Sequence, residues 1–169
     1  ITASVSLAHI TFSEKDIPDF NTNFKIIPPI RSKSDCNSLK EGLIDGTIDY
    51  LTSMHEPYDI DHKKVVFDDA SPGTIGLEPM FGLMCNQFTL EKTIDILTRG
   101  KIIFEIDDHS IDIGSKANLA LFNPDKNYEF SEKHILSSSN NCAFLGNKLK
   151  GVVYGSVNGD KFTLNKLWT

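Results

Sequence analysis

Cysteine is scarce in this chain: three in 169 residues, Cys36, Cys85 and Cys142, with no CxxC pair. An odd number at wide spacing is no disulfide framework and fits reduced thiols in a cytoplasmic protein. Long apolar runs are missing too. No stretch reaches the roughly 18–20 residues that a membrane-spanning helix needs, so no membrane contact is expected. Basic charge is short, with 17 Lys and Arg against 23 Asp and Glu and a formal net charge of −6. A nucleic-acid surface normally shows a basic patch, and scattered lysines on an acidic background supply none. The glycine-rich phosphate loop, the HExxH helix and the GxSxG turn are absent, as are repeats and low-complexity tracts. Ile1 to Val5 carry neither Met nor a basic region, so they do not read as a signal peptide, and the start is expected to be that of a fragment.

What is present is an ordinary globular composition, 40% hydrophobic and 24% charged. Ser4 to Phe12 alternates with period 2 and predicts a strand. A polar loop follows to Asn23, and Pro28-Pro29 forbids helix. Ser34 or Asp35 is a plausible N-cap for a helix with Cys36, Leu39 and Leu43 inward and Gly46 just past its end. Thr47 to Ser53 is short and β-prone. A charged run, Asp59 to Lys64, reads as an exposed loop. Thr89 can cap a helix with Leu90, Ile94 and Leu97 inward and Gly100 as terminator. This order of elements is the grammar of an α/β barrel or a doubly wound sheet.

Near Gly100 the character changes. Short β segments are expected at 101–106, 117–122 and 150–157, separated by Gly114-Ser115, Asn123-Pro124-Asp125 and the hairpin turn Asn158-Gly159. Residues 1–100 thus read as α/β and 101–169 as all-β. Neither is comfortable alone, because a closed barrel takes about 250 residues.

The order of segments resembles the C-terminal portion of a dihydroorotase, a metal-dependent hydrolase of the amidohydrolase superfamily. Val5-Ser6-Leu7-Ala8-His9-Ile10 looks like that family's V-T-P-H-H-L, and residues 24–31, FKIIPPIR, look like Y-K-x-N-P-P-L-R. Residues 41–49, EGLIDGTID, match E-G-L-x-D-G-T-I-D. Phe67 with residues 70–78 resembles F-x-x-A-x-x-G-x-x-G-L-E, residues 113–119 resemble I-G-x-x-A-D/N-L, and residues 137–146 resemble S-x-S-x-N-x-P-F-x-G. Any one match is weak; their order is not.

The resemblance implies the C-terminal part of a (β/α)8 TIM barrel over residues 1–100 and a small all-β sandwich segment over 101–169. It also implies zinc-dependent interconversion of N-carbamoyl-aspartate and dihydroorotate in pyrimidine biosynthesis, with a metal-activated hydroxide as attacking group. The family's HxH, its modified-lysine or aspartate ligand and its later histidines would lie upstream. No cofactor is therefore expected within this segment, although zinc is expected for active members. The implied partners are the upstream half of its own barrel, further copies of itself, and aspartate transcarbamoylase.

The departures fall on the implied site. Residues 51–58, LTSMHEPY, stand where the family has x-(A/V)-(T/S)-D-H-A-P-H. The catalytic aspartate is Met54, a thioether that binds zinc weakly and accepts no proton. The substrate-binding asparagine is Ile27, the second histidine is Tyr58, and the first histidine of P-H-H-L is Ala8. Gly73 is retained at a substrate position, and with Gly76 it permits a tight loop. Arg31 reads as a buried ion pair or a ligand contact, His55 as a hydrogen-bonded structural residue, and His62, His109 and His134 as solvated. Asp107-Asp108-His109 invites a metal reading but has no third ligand at useful spacing.

The expectation is a catalytically silent dihydroorotase-like chain, kept for a structural or regulatory role. The rival is a working dihydroorotase or other cyclic-amide hydrolase whose ligands all come from upstream. An unrelated α+β binding module would leave the ordered matches unexplained.

Overall fold

The computed structural model describes residues 1–106 and 111–168, so the Asp107-Asp108-His109 cluster lies outside the described residues. The chain forms two compact units, Ile1–Met80 with Phe130–Asn147, and Phe81–Glu129 with Lys148–Thr169. This division does not follow the change of character at Gly100: helical residues 81–98 go with the sheet, and 130–147 return to the first unit.

In the first unit, β1 (Ser4–Ser6) pairs in parallel with β2 (Tyr50–Thr52), Val5 opposite Leu51. The strand expected over Ser4–Phe12 stops at Ser6, and the chain turns into α1 (Leu7–Thr11). Local hydrogen bonding decides this. Ser6 Oγ accepts the His9 N–H and the Thr11 hydroxyl donates to Leu7 O, while burial of Leu7, Ala8 and Ile10 follows a helical face rather than alternation.

The next helix, α2 (Lys33–Asp45), is capped by Ser32 rather than by Ser34 or Asp35. Ser32 Oγ accepts from Asp35 N–H, and the Asp35 carboxylate accepts the Ser32 N–H, closing a capping box. Gly46, at φ +86°, ends the helix as expected. The β-prone run at 47–53 yields only the three residues of β2. Leu7, Ile10, Leu43, Ile75 and Phe144 are fully buried in this unit, and the Phe12 ring sits 4.9 Å from Phe24 and 5.0 Å from Phe144. Each such side chain contributes about 1.5–3 kcal/mol by leaving water.

The second unit holds α3 (Met80–Gln87), α4 (Leu90–Thr98), α5 (Gly100–Ile103) and an antiparallel sheet ordered β3 (Asn118–Glu129), β4 (Lys148–Asn158), β5 (Lys161–Leu164). No sequence signal marked α3, whose first six residues, MFGLMC, carry no polar side chain to set a helical period. Thr89 caps α4 as expected, but its buried residues are Thr93 and Ile96, while Leu90 is exposed.

Gly100 does not terminate α4. Arg99 keeps helical dihedrals and donates to the Asp95 carboxylate one turn back, and the strand expected from Lys101 is the helical turn α5. Asn123-Pro124-Asp125, expected to end a strand, instead interrupts the β3–β4 pairing between Asn123 and Asn127. Pro124 has no N–H to give to a ladder, and Asn123 Oδ1 takes the Asp125 N–H, so the turn signal becomes an irregularity inside one long strand. Asn158-Gly159 makes the expected β4–β5 hairpin, with Gly159 at φ +61°. Among the described residues, 101–169 supplies this one three-stranded sheet.

Candidate functional site

Beyond β2 the chain passes through Met54, held at φ +40° with its N–H on Thr52 Oγ1. Positive φ is costly for a residue with a bulky side chain, and such outliers gather at functional loops. Met54 lines a cleft of about 540 Å³ with Val5, His9, Pro28, Pro29 and Arg31.

Both ring nitrogens of His9 are engaged by the chain's own groups, from Ser6 and Pro28, which line the same cleft. Nε2 lies 2.8 Å from Pro28 O, which can only accept, so Nε2 carries the proton. Nδ1 is left to accept from the Ser6 hydroxyl at 2.5 Å. Arg31 is exposed and has no carboxylate within 4.0 Å among the described residues, so the buried ion pair expected of it does not form. Ile27, 64% exposed, is not part of the cleft wall.

A second group of residues lies where the 54–58 and 73–78 loops meet residues 137–141. Its centre is Asn141, 5% exposed. The Asn141 Oδ1 accepts the Tyr58 N–H at 3.0 Å, and Nδ2 donates to Glu56 O at 2.8 Å and Gly73 O at 3.2 Å. Its backbone carbonyl accepts from Ile75 N–H and from the Thr74 hydroxyl. One side chain thereby satisfies three buried or half-buried backbone groups from two loops. The Ser139 hydroxyl donates to Tyr58 O.

Gly73 and Tyr58 are close neighbours: a Cβ built on Gly73 would lie 2.7 Å from the Tyr58 ring, and the glycine sits at φ +149°. Gly76 is equally confined, since its Cβ would fall 2.5 Å from Ser53 O. Both glycines permit the tight loop expected of them.

His55 is held within this junction. Its Nδ1 accepts from Leu77 N–H at 3.3 Å, and Nε2 faces the Ser137 hydroxyl at 3.1 Å. Ser137 Oγ donates in turn to Glu78 Oε1, which also accepts the Ser137 N–H at 2.9 Å. Burial opposes ionisation of Glu78, but these donors and nearby His55 outweigh it and hold its pKa below the ordinary carboxylate value.

Lys63 departs from the sequence reading. Within a run expected to be exposed it is 6% exposed, and Nζ donates to Ser71 O at 2.8 Å and Gly73 O at 2.9 Å. Burial, reinforced by Lys25, pulls its pKa down to about 8. His62 is exposed as expected. His134 is not: it is 7% exposed, stacked on Phe130 at 5.7 Å and bonded to Ser131.

The four sequence-predicted site residues therefore separate. Tyr58 and Gly73 meet in the loop junction, Met54 faces the cleft, and Ile27 is exposed elsewhere. Asn141, Glu78 and Ser137 stood within quoted motifs without a role. Lys63 was hidden by its charged neighbours.

A curated dihydroorotase from Caldicellulosiruptor saccharolyticus is 34% identical over 160 residues, covering 90% of this chain and 37% of that protein. Another, from Caldanaerobacter subterraneus subsp. tengcongensis, is 33% identical over 175 residues, covering 98% and 40%. The chain is dihydroorotase-like. No family model matches it.

Among solved structures, L-hydantoinase from Arthrobacter aurescens superposes with a TM-score of 0.83 at 21% identity, over 98% of the dihydroorotase-like chain and 39% of the hydantoinase. The inactive dihydroorotase-like domain of the Chaetomium thermophilum CAD-like multifunctional protein gives a TM-score of 0.62 at 20% identity, over 95% and 43%. At these identities the fold alone is shared: an α/β fold corresponding to part of a hydantoinase. The dihydroorotase-like chain spans about 37% of the first relative's length. None of its described helices is long and apolar enough to cross a membrane.

Proposed function

We propose that this segment is the C-terminal part of a dihydroorotase-like (β/α)8 barrel with sandwich strands, and that it does not turn over dihydroorotate. On this reading Met54 stands at the position of the catalytic aspartate, and Ile27, Tyr58 and Gly73 stand at substrate positions. The observation that carries it is Met54 itself, a thioether at a strand end in a left-handed backbone conformation, facing a cleft. A thioether neither accepts a proton from an attacking water nor binds zinc well.

The residues present do not fit a zinc centre. His9 and His55 have both ring nitrogens committed to the chain's own groups, and among the described residues no three His, Cys, Asp or Glu side chains cluster. The retained loop junction supports persistence of the fold. A structural or regulatory role follows, with the upstream barrel half, further copies of the chain and, by analogy with inactive dihydroorotase-like subunits, aspartate transcarbamoylase as partners.

The test is a dihydroorotate hydrolysis assay, with zinc supplied, on the longest natural polypeptide that carries this segment. No turnover above the uncatalysed rate is expected. Turnover that is lost on chelation and restored by zinc would overturn the reading in favour of a working cyclic-amide hydrolase.

A further inference from the structure

Lys63 combines features that the loop junction does not require. Lys63 is a buried residue, 6% exposed, yet its ammonium has no carboxylate within 4.0 Å among the described residues. The acidic group that acts on it is Glu56, from farther away, while Lys25 opposes it with like charge. An ammonium has three N–H donors, and two are used by Ser71 O and Gly73 O. The third has no partner among the described residues. Buried charges are normally paired, because burying an ion without a counter-charge costs several kcal/mol.

The same residue lines a pocket of about 410 Å³, walled by Tyr58, Lys64, Asn23, Ser138 and Asn140. That volume falls in the range of small-molecule sites. Tyr58 and Ser138 offer hydroxyls, Asn23 and Asn140 offer amides, and Lys64 adds a second cation. Asp59 is the one acidic residue on the wall. The pocket shares Tyr58 with the proposed substrate positions but includes none of Met54, Ile27 and Gly73.

We propose that this pocket binds a small oxyanion, a carboxylate or a phosphate, which supplies the counter-charge that Lys63 lacks. The ammonium gives its third N–H to an anionic oxygen, Lys64 adds attraction from the rim, and the hydroxyl and amide groups take the remaining oxygens. Charge-assisted bonds of this kind are stronger than neutral ones. Asp59 favours ligands of low charge over highly charged ones. The site stands apart from the proposed loss of catalysis and is unaffected by its failure.

Isothermal titration of the full chain at neutral pH with inorganic phosphate, and separately with malonate, tests the proposal and distinguishes phosphate from carboxylate ligands. Saturable binding of one anion per chain is expected for at least one of the two. Lys63→Met should weaken it by roughly tenfold or more, the loss expected for one charge-assisted bond. Asn140→Asp, a surface change that places a carboxylate on the wall, should weaken it as well while leaving unfolding unchanged. Should Lys63→Met fail to fold, Asn140→Asp and Lys64→Gln carry the test. Absence of saturable binding of both anions would overturn the proposal. So would binding that survives unaltered in every folded variant, since the anion would then sit elsewhere.

Discussion

Two neighbouring regions of the first unit, the loop junction around Asn141 and the cleft at the end of β2, treat their polar groups in opposite ways. In the junction, Asn141 spends its amide on Tyr58, Glu56 and Gly73, and Ser137 bridges His55 and Glu78. The exception is Glu78 Oε2, which has no hydrogen-bond partner among the described residues and lies 3.6 Å from His55 Nδ1. In the cleft, Met54 offers a thioether, and His9 turns both nitrogens to the chain. A catalytic site holds polar groups ready for a ligand, at a cost in stability that the rest of the fold offsets. Here the junction spends most of its polar groups on itself, and in the cleft Arg31 is the charged side chain left without an ion pair among the described residues. The difference teaches that loops can be fixed by their own hydrogen bonds whatever side chains line the neighbouring cleft.

The most forceful way to break that contrast is to disable the junction. Asn141→Leu keeps the branched shape but strands Tyr58 N–H and Glu56 O, while Gly73 O keeps only its bond from Lys63 Nζ. Leaving buried donors and acceptors unmet costs about 1–3 kcal/mol each before relaxation and water recover part of it. The expected loss is about 3–5 kcal/mol in urea unfolding, read as a lower midpoint at constant slope. A loss below about 1 kcal/mol would mean that the junction is not what fixes these loops.

A smaller effect separates Lys63 from its surroundings. Its pKa is about 8 in the folded chain against 10.5 ordinarily, so between these values the unfolded chain holds more protons. Stability contributed by this group therefore rises as pH climbs through that window. Burial pushes the Cys142 thiol and the Tyr128 hydroxyl each up to about 12, and for these acids the sign is opposite. The wild-type curve mixes both trends. The difference between wild type and Lys63→Met isolates the lysine: the advantage of the wild type should grow from pH 8 to pH 10. A flat difference would show that Lys63 titrates normally and is hydrated.

How much of this was legible in sequence depends on the range of the interactions that decide it. Gly46, Thr89 and Asn158-Gly159 act through local backbone geometry, and each does what its residue type predicts. Ser6 shows the limit of periodicity, since one cap bond turned an alternating segment into helix α1 after three residues of strand. Asn123-Pro124-Asp125 shows another: a turn signal flanked by two strand halves that share one partner becomes an irregularity in the ladder. Asn141 and Lys63 were illegible for a different reason. Their importance lies in backbone groups they reach, Asn141 across 83 residues to Tyr58 and Lys63 across ten to Gly73, and no spacing rule connects a side chain to a distant carbonyl.

The smallest expected change sharpens the contrast from the cleft side. Met54→Asp introduces an acid that the resemblance places at that position. Met54 is half-buried, so little apolar area is lost, and its φ of +40° suits Asp better than Met because a short polar side chain tolerates left-handed backbone. The two effects oppose each other, and the net change in stability should stay within about 1 kcal/mol. Activity should not return either. If Ile27 and Tyr58 stand at substrate positions as proposed, Ile27 offers no hydrogen bond to a substrate amide, and Tyr58, its ring 5.9 Å from His62, offers no cation to a substrate carboxylate. At about 1–3 kcal/mol for each missing contact, and more where a charge is involved, transition-state binding would stay roughly 10²–10⁴-fold short even with zinc supplied. Turnover should reappear, if at all, only when Ile27→Asn and Tyr58→His accompany Met54→Asp in a polypeptide that carries the upstream ligands. Dihydroorotate hydrolysis by the single and the triple variant, measured beside their unfolding midpoints, decides the matter. Robust turnover by the single variant would mean that Ile27 and Tyr58 do not limit substrate binding and that one acid was the whole deficit.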